Sequence, residues 1–248
     1  SVVPAKDFSG DIKLSVTPMS TEKTPVAPGQ GTAQGEKIEL VINVNPQADD
    51  AKLTVRDIQG KEDTLLDLGS KIGLAHLGDI TDGSEQLFVR ISGLPAGATL
   101  LLGGVAVSQH AAGYYEVPFE RINELKLLPP KNSNVDFDLT IKGVVKDSAT
   151  LTDANGQTHV VVNEKETGAQ TLHVDLVGVV DEPHFDLNTS GWTADGNGYT
   201  TTVQEDGRAP LDFKLTSGEW TDTPLDHSET LNLVLEGLPE GARVFDAS

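Results

Sequence analysis

The chain has 248 residues and a formal net charge of -20, with 38 Asp and Glu against 18 Lys and Arg. This charge disfavours nucleic acids and anionic membrane surfaces as partners and favours cations. No cysteine is present, which excludes disulfides and thiolate metal sites, and no apolar run approaches the roughly 20 residues that a membrane-inserted helix needs.

Short runs of alternating hydrophobicity, bounded by turn residues, predict a series of β-strands. In chain order, the clearest runs are 37–45, 87–91, 136–146, 171–181 and 231–235. Asp153-Ala-Asn155-Gly156 and Asp195-Gly-Asn197-Gly198 predict hairpins, because Asn-Gly tolerates positive φ. Only residues 118–128 suggest a short helical turn. Together with 25 Gly, 13 Pro and 5% aromatic residues, this pattern predicts an all-β protein.

Several stretches of the sequence repeat one another. Residues 84–100 (SEQLFVRISGLPAGATL) match residues 228–244 (SETLNLVLEGLPEGARV) without a gap. Three further pairs align in the same order, namely 11–16 with 136–141, 42–55 with 174–187, and 62–63 with 205–206. The spacings predict one repeating module of roughly 130 to 145 residues, which is large enough to be a domain.

This periodicity divides the chain into three predicted parts. Residues 1–48 form the C-terminal part of a preceding β-sandwich repeat, 49–180 a complete repeat, and 181–248 the N-terminal part of a following repeat. An alternative is that the two partial repeats complement each other, within one chain or between chains, because unpaired edge strands need covering.

Acidic residues gather at the predicted turns and module junctions rather than along the strands. Any single one is most simply interpreted as a solvated turn residue. Carboxylates that meet at one end of a sandwich repel one another unless a cation neutralises them, and calcium accepts about six to eight oxygen ligands in loosely constrained geometry. We therefore predict calcium binding near the module ends. The candidate ligands are Asp49, Asp50, Glu62, Asp63, Asp79, Asp82, Glu85, Asp136, Asp138, Asp181, Glu182, Glu205, Asp206, Asp222, Asp226 and Glu229.

Catalytic motifs are missing from the sequence. It contains no G-x-S-x-G, no H-E-x-x-H and no phosphate-binding glycine loop, and its six histidines are scattered without metal-ligand spacing. We therefore predict a non-enzymatic protein and disfavour a hydrolase. Trp192 and Trp220 lie near acidic turns, so a glycan- or peptide-binding module that uses residues 188–222 is the alternative function.

Five phrases resemble the tandem cadherin-like or immunoglobulin-like extender repeats of giant bacterial RTX-type adhesins, which are secreted by the type I route. They are VNPQADDAKLTV, GKEDTLLDLG, DITDGSEQLFVRISGLPAGATL, LLPPKNSNVDFDLTI and VVDEPHF. The chain departs from the family pattern at Asp49-Asp50-Ala51, which lacks the junctional proline, and in the insertion at 192–202.

The resemblance implies a fold of tandem immunoglobulin- or cadherin-like β-sandwich modules with antiparallel, Greek-key-type sheets. It also implies an extracellular extender segment at the bacterial cell surface that supports cell adhesion and biofilm formation. The expected partners are neighbouring repeats of the same polypeptide, and the expected cofactor is calcium, which would stiffen the junctions. Because a cation that binds only the folded state stabilises that state, a calcium-poor cytosol would leave the chain unfolded for export.

Overall fold

The protein has an all-β, sandwich-type fold, as its composition predicts, with 47% of residues in strands and 4% in helix. A computed structural model describes residues 1–24, 31–78, 83–217 and 230–245. Within these ranges no helix has both the length and the apolar character needed to cross a membrane.

Nineteen strands and two short 3-10 helices follow one another along the described chain. Before residue 49 the strands are β1 Gly10–Val16, β2 Met19–Thr21, β3 Thr32–Gln34 and β4 Ile38–Val44. The middle of the chain contains β5 Ala51–Val55, β6 Ile58–Lys61, β7 Ile72–His76, β8 Glu85–Ser92, β9 Thr99–Leu102, β10 Val105–Ala106, β11 Tyr115–Pro118, β12 Leu125–Leu128, β13 Phe137–Thr152, β14 Thr158–Glu166 and β15 Gln170–Val177. The 3-10 helices span Gly69–Lys71 and Phe119–Glu124, and the last strands are β16 His184–Leu187, β17 Thr193–Asp195, β18 Gly198–Thr200 and β19 Phe213–Thr216.

We call residues 1–48 the first segment, 49–180 the central module and 181–248 the last segment. In the central module, one sheet has the strand order β11, β8, β13, β15, β6, with β14 also paired to β13. All of these pairs are antiparallel except β15 with β6. The strand pair β5 and β7 and the sheet β10, β9, β12 contribute to the same hydrophobic core, in which Leu53, Leu100 and Leu127 pack with Ile91, Leu139 and Leu172.

Strand β13 is the longest strand, and every second residue of it is buried. Leu139 and Ile141 belong to the core of the central module, whereas Ala149 and Leu151 are buried outside that core. The strand contacts β1 and β4 of the first segment at this end. The predicted end of this run at residue 146 is therefore wrong, because the inward-facing alternation continues past Asp147 to Thr152.

Both predicted Asn-Gly hairpins are confirmed. The turn at 153–157 joins β13 to β14, and Asp153 Oδ1 accepts hydrogen bonds from the backbone N–H groups of Gln157 and Asn155 at 2.8 Å each. These bonds lower the pKa of Asp153. The second hairpin joins β17 to β18, with Asp195 paired to Gly198. The helical turn expected within 118–128 is the 3-10 helix Phe119–Glu124.

The repeated sequences adopt repeated turn geometry. Gly93 and Gly237 both have positive φ, at 88° and 79°, a conformation that glycine adopts without strain. The following turn closes with the same bond in both copies, from Ala98 N to Pro95 O at 3.2 Å and from Ala242 N to Pro239 O at 3.1 Å. Asp63 and its counterpart Asp206 are also both left-handed.

The strand predicted at 231–235 does not form in the described structure. Its counterpart β8 is held between β11 and β13. The described residues after Leu235 contain no strand that could pair with it. A strand needs a neighbour for its backbone hydrogen bonds, so hydrophobic alternation alone does not produce one.

Candidate functional site

A polar cavity of about 340 Å³ lies where the first segment meets the central module. It is bordered by the loop before β1, the linker between β4 and β5, the start of β8 and the middle of β13. The lining residues are Asp7, Phe8, Ser9, Val44, Asn45, Gln47, Asp49, Ser84, Glu85 and Asp147. Four carboxylates from distant parts of the sequence therefore face one space.

Side chains of the central module hold the linker in place. The linker residues 45–50 are not in a strand, and Pro46 and Ala48 are buried, so its backbone N–H groups need partners other than a sheet neighbour. Three successive N–H groups find side-chain oxygens, from Gln47 to Asp147 Oδ2 at 2.7 Å, from Ala48 to Asn163 Oδ1 at 2.9 Å and from Asp49 to Glu85 Oε1 at 2.8 Å. Three hydrogen bonds therefore attach the linker to the module, and the two that end on the carboxylates of Asp147 and Glu85 are charge-assisted.

Asp147 is the one charged residue on the inward face of β13. It is 5% exposed and lies between Val145 and Ala149 on the buried side of the strand. Its Oδ2 atom binds the linker, while its Oδ1 atom is buried and has no hydrogen-bond partner among the described residues. Burying a carboxylate oxygen without a partner is costly, so this atom is suited to bind a cation.

Glu85 is fixed by a buried histidine. Gly78 N donates to His76 Nδ1 at 3.1 Å, so a neutral His76 imidazole carries its proton on Nε2. That nitrogen contacts Glu85 Oε2, and both side chains are less than a tenth exposed. Glu85 therefore has one oxygen on the linker N–H of Asp49 and the other on His76.

The remaining two cavity carboxylates are less tightly held. Asp7 has a left-handed backbone, with φ 58°, and its Oδ2 lies 3.1 Å from Lys6 Nζ. Asp49 packs against Gly78 so closely that any side chain at position 78 would collide with the Asp49 carboxylate. These two groups line the cavity and can supply further oxygen ligands.

A second group of acids surrounds the linker that follows β15. Glu62 is 2% exposed, and its Oε1 accepts the N–H of Val179 at 2.5 Å. Two more bonds tie the neighbouring loops, from Asn132 N to Asp63 Oδ1 at 2.9 Å and from Leu176 N to Asp136 Oδ1 at 2.8 Å. Glu62 and Glu85, both predicted to lie near the module ends, contact different linkers.

The other predicted ligands lie apart from both groups. Asp50 forms an exposed ion pair with Lys165 at 2.8 Å, and Asp138 Oδ1 lies 2.7 Å from His173 Nδ1. In the last segment Asp181 is half-buried, whereas Glu182, Glu205 and Asp206 are exposed. Asp79, Asp82, Asp222, Asp226 and Glu229 lie outside the described residues.

Sequence reasoning missed Asp147 and Asp7. A signal for Asp147 was present, because a charged residue at an inward-facing position of an otherwise apolar alternation requires a buried partner. Asp147 was instead interpreted as the end of the strand. Asp7 carried no such signal, since a lone Asp in a loop is usually solvated.

The segment proposed as an alternative ligand-binding region contains a small hairpin. Trp192 precedes β17 and is half-buried, and its N–H donates to Thr189 O at 2.9 Å. Tyr199 in β18 is half exposed. Trp220 lies outside the described residues, and the glycan- or peptide-binding module that uses residues 188–222 stays a prediction.

Over the described ranges, no three or more His, Asp or Glu side chains are grouped closely enough to hold a metal ion directly. The junction carboxylates thus border a shared cavity without converging on one point. Comparison with known proteins gives no family to which the chain can be assigned: no family model matches it, and no curated protein matches it significantly.

Proposed function

We propose that the chain is a non-enzymatic, calcium-stabilised structural segment of a bacterial cell-surface adhesin, an extender that holds other parts of the protein away from the cell. The proposal combines the resemblance of the sequence to extender repeats with the junction cavity. The observation that carries it is Asp147, which lines a cavity together with three other carboxylates and whose buried Oδ1 atom has no hydrogen-bond partner among the described residues.

The chemistry of the lining residues fits a hard cation with oxygen ligands. Bound calcium would neutralise the carboxylates, and because its coordination is flexible and includes water, the ligands need not already converge. Asp147 Oδ1, Asp49 and Asp7 are the groups that would hold it. Asp147 Oδ2 and Glu85 Oε1 meanwhile keep the linker N–H groups satisfied, which places the linker beside the cation.

The position of the cavity explains what a cation would do mechanically. Its lining comes from the first segment, the linker and the central module, so an ion held there joins three parts of the chain at once. Binding would favour the arrangement in which these parts meet, and it would stabilise the folded state by mass action. A string of repeats joined in this way would be stiffer in the calcium-rich exterior than inside the cell.

Cell-surface location, type I secretion and a role in adhesion and biofilm formation are proposed from the resemblance. The cysteine-free, strongly acidic composition is compatible with them, since stabilisation by cations would replace disulfides in an extracellular chain. Neighbouring repeats of the same polypeptide are the proposed partners.

The test is thermal unfolding of the full chain in excess EGTA and in millimolar calcium, with magnesium as the ion control. We expect calcium, and not magnesium, to raise the melting temperature. Asp147→Asn keeps the shape of the side chain and removes its charge, so it should abolish the calcium response and melt above the wild type in EGTA.

Asp50→Asn is the matched control. Asp50 lies in the linker at the same junction, but its carboxylate faces solvent and pairs with Lys165. This variant should keep the full response to calcium. Absence of a calcium response in the wild type, or an equal response in Asp147→Asn, would contradict the proposal.

A further inference from the structure

The hairpin of β13 and β14 extends beyond the core of the central module and contacts the first segment. The part of β13 after Ser148 has no β8 residue beside it, because the β8 pairing ends with Glu85 opposite Asp147. We call residues 148–158 the arm. Its inward-facing residues Ala149 and Leu151 are buried outside the module core, at the end of β13 that contacts β1 and β4.

The arm ends in a set of hydrogen bonds to one pair of residues in the first segment. Asp11 and Asn43 lie opposite each other in the β1 and β4 ladder. Asp11 Oδ2 accepts the hydroxyl of Thr152 at 2.5 Å, and Asp11 Oδ1 accepts the Thr152 N–H at 3.2 Å. Asn43 Nδ2 donates to Thr152 O at 3.0 Å and to Asp11 Oδ1 at 2.7 Å.

We propose that the arm is a docking element whose partner is the β1–β4 strand pair of the preceding repeat, and that it fixes the orientation of two successive repeats without a cation. Thr152 binds the Asp11 and Asn43 pair through its N–H, its carbonyl and its hydroxyl, so the contact depends on the identity of the residues on both sides. The hydrogen bond from the Thr152 hydroxyl, helped by the bond from the Thr152 backbone N–H, lowers the pKa of Asp11.

The repeat pattern identifies the partner as a neighbouring module rather than a chance surface. Strands β1 and β4 pair in the same register as β13 and β15, because Ile12 opposite Ile42 corresponds by sequence alignment to Phe137 opposite Val174. The β1–β4 strand pair of the first segment therefore corresponds to the β13–β15 strand pair of the central module. The strand pair that receives the arm thus has a counterpart in the central module.

This docking is independent of the calcium proposal, since no carboxylate of the cavity takes part in it. The two act at the same junction, but the arm binds through hydrogen bonds and apolar burial that need no ion. Rigid orientation in the absence of calcium is the property that separates them.

The lack of cysteine allows a direct measurement on the full chain. Spin labels at Ser15→Cys in β1 and Thr171→Cys in β15, both exposed, report the distance between the first segment and the central module. In excess EGTA we expect one narrow distance distribution. Asp11→Ala and Thr152→Val remove the acceptor and the hydroxyl donor and should each lose the narrow distribution.

Thr150→Val is the matched control, because Thr150 is exposed on the same strand and should tolerate the same substitution with the narrow distribution kept. Hydrogen exchange of the core strands checks that each variant is folded. A broad distribution for the wild type in EGTA, or a narrow one for both Asp11→Ala and Thr152→Val, would overturn the proposal. A narrow wild-type distribution with no melting response to calcium would sustain the docking and refute the calcium mechanism.

Discussion

The linker before β5 and the linker after β15 each donate a backbone N–H to a buried carboxylate. The carboxylate follows the first linker in the sequence, whereas it precedes the second. Gln47 and Val179 occupy equivalent positions in the aligned repeats, and each donates its N–H to a buried carboxylate. For Gln47 the acceptor is Asp147, in the module that follows the linker. For Val179 it is Glu62, in the module that precedes it.

This difference shows how a linker of a few residues can be held on either side. At the first linker, the bonds to Asp147, Asn163 and Glu85 attach the linker to the next module. At the second linker, the bond to Glu62 completes the preceding module. The central module therefore holds both linkers through buried carboxylates.

Glu62→Ala should have the largest effect on the second linker. It removes a buried acceptor and leaves a gap beside Val179, so we expect a loss of about 2–3 kcal/mol in the free energy of unfolding. Chemical denaturation measures it. Glu62→Gln is the control, because its amide oxygen can still accept the Val179 N–H and the loss should be smaller. Equal losses in the two variants would show that charge, rather than the hydrogen bond, matters there.

Arg90→Met tests the ion-pair cluster that joins β14 to β8 and β11 in the central module. Arg90 is mostly buried and binds Glu166 at 2.6 Å, Glu164 at 2.7 Å and Glu116 at 2.8 Å, which ties β14 to β8 and β11. Burial lowers the pKa of Arg90, but the bonds to the three carboxylates outweigh it and raise the pKa overall. We expect a loss of about 1–2 kcal/mol, since Glu164 and Glu166 are partly screened by solvent.

Arg121→Met is the surface comparison for that experiment. Arg121 forms an ion pair with Glu124, and both side chains are nearly half exposed. Its melting temperature should stay close to that of the wild type. A loss as large as that of Arg90→Met would mean that the burial of Arg90 and its three carboxylate partners are not what matters.

The pair of His173 and Asp138 gives the smallest effect, and the size of this effect depends on pH. The hydrogen bond to Asp138 raises the pKa of His173 above its ordinary value of 6.5. The stabilisation is therefore fully present below about pH 6.5 and is lost as the pH rises through the raised folded-state pKa. Asp138→Asn should lower the melting temperature at pH 5.5 and leave it unchanged at pH 9. A difference that is equal at both pH values would contradict this.

The sequence alone supported the strands and hairpins because alternation and Asn-Gly turns are local signals. It also supported the pairing of repeated turns, in which Gly93 and Gly237 share one backbone conformation. The residues that line the cavity were harder to predict from the sequence. Asp49 and Glu85 were proposed from their position near a boundary, but Asp147 meets Gln47 across 100 residues of chain, a contact that no local pattern encodes.

The separation of Glu62 from Glu85 has the same origin. Both are acids near predicted turns, and only the path of the strands through the sandwich decides which linker each one reaches. The strand predicted at 231–235 shows the opposite situation. Its local signal is strong, but the described part of the chain contains no neighbouring strand with which it could pair.

The bonds between Thr152 and the Asp11 and Asn43 pair also bear on how such repeats can be exchanged. By the repeat alignment, Asp175 stands where the first segment has Asn43, and a carboxylate cannot donate to the carbonyl that Asn43 binds. An arm that binds the β1–β4 strand pair would therefore lose the bond from Asn43 at the β13–β15 strand pair. Recombination that keeps a matching arm and strand pair together would break the chain within modules and not between them. The part of such a chain that is inherited intact would then be the junction between two modules.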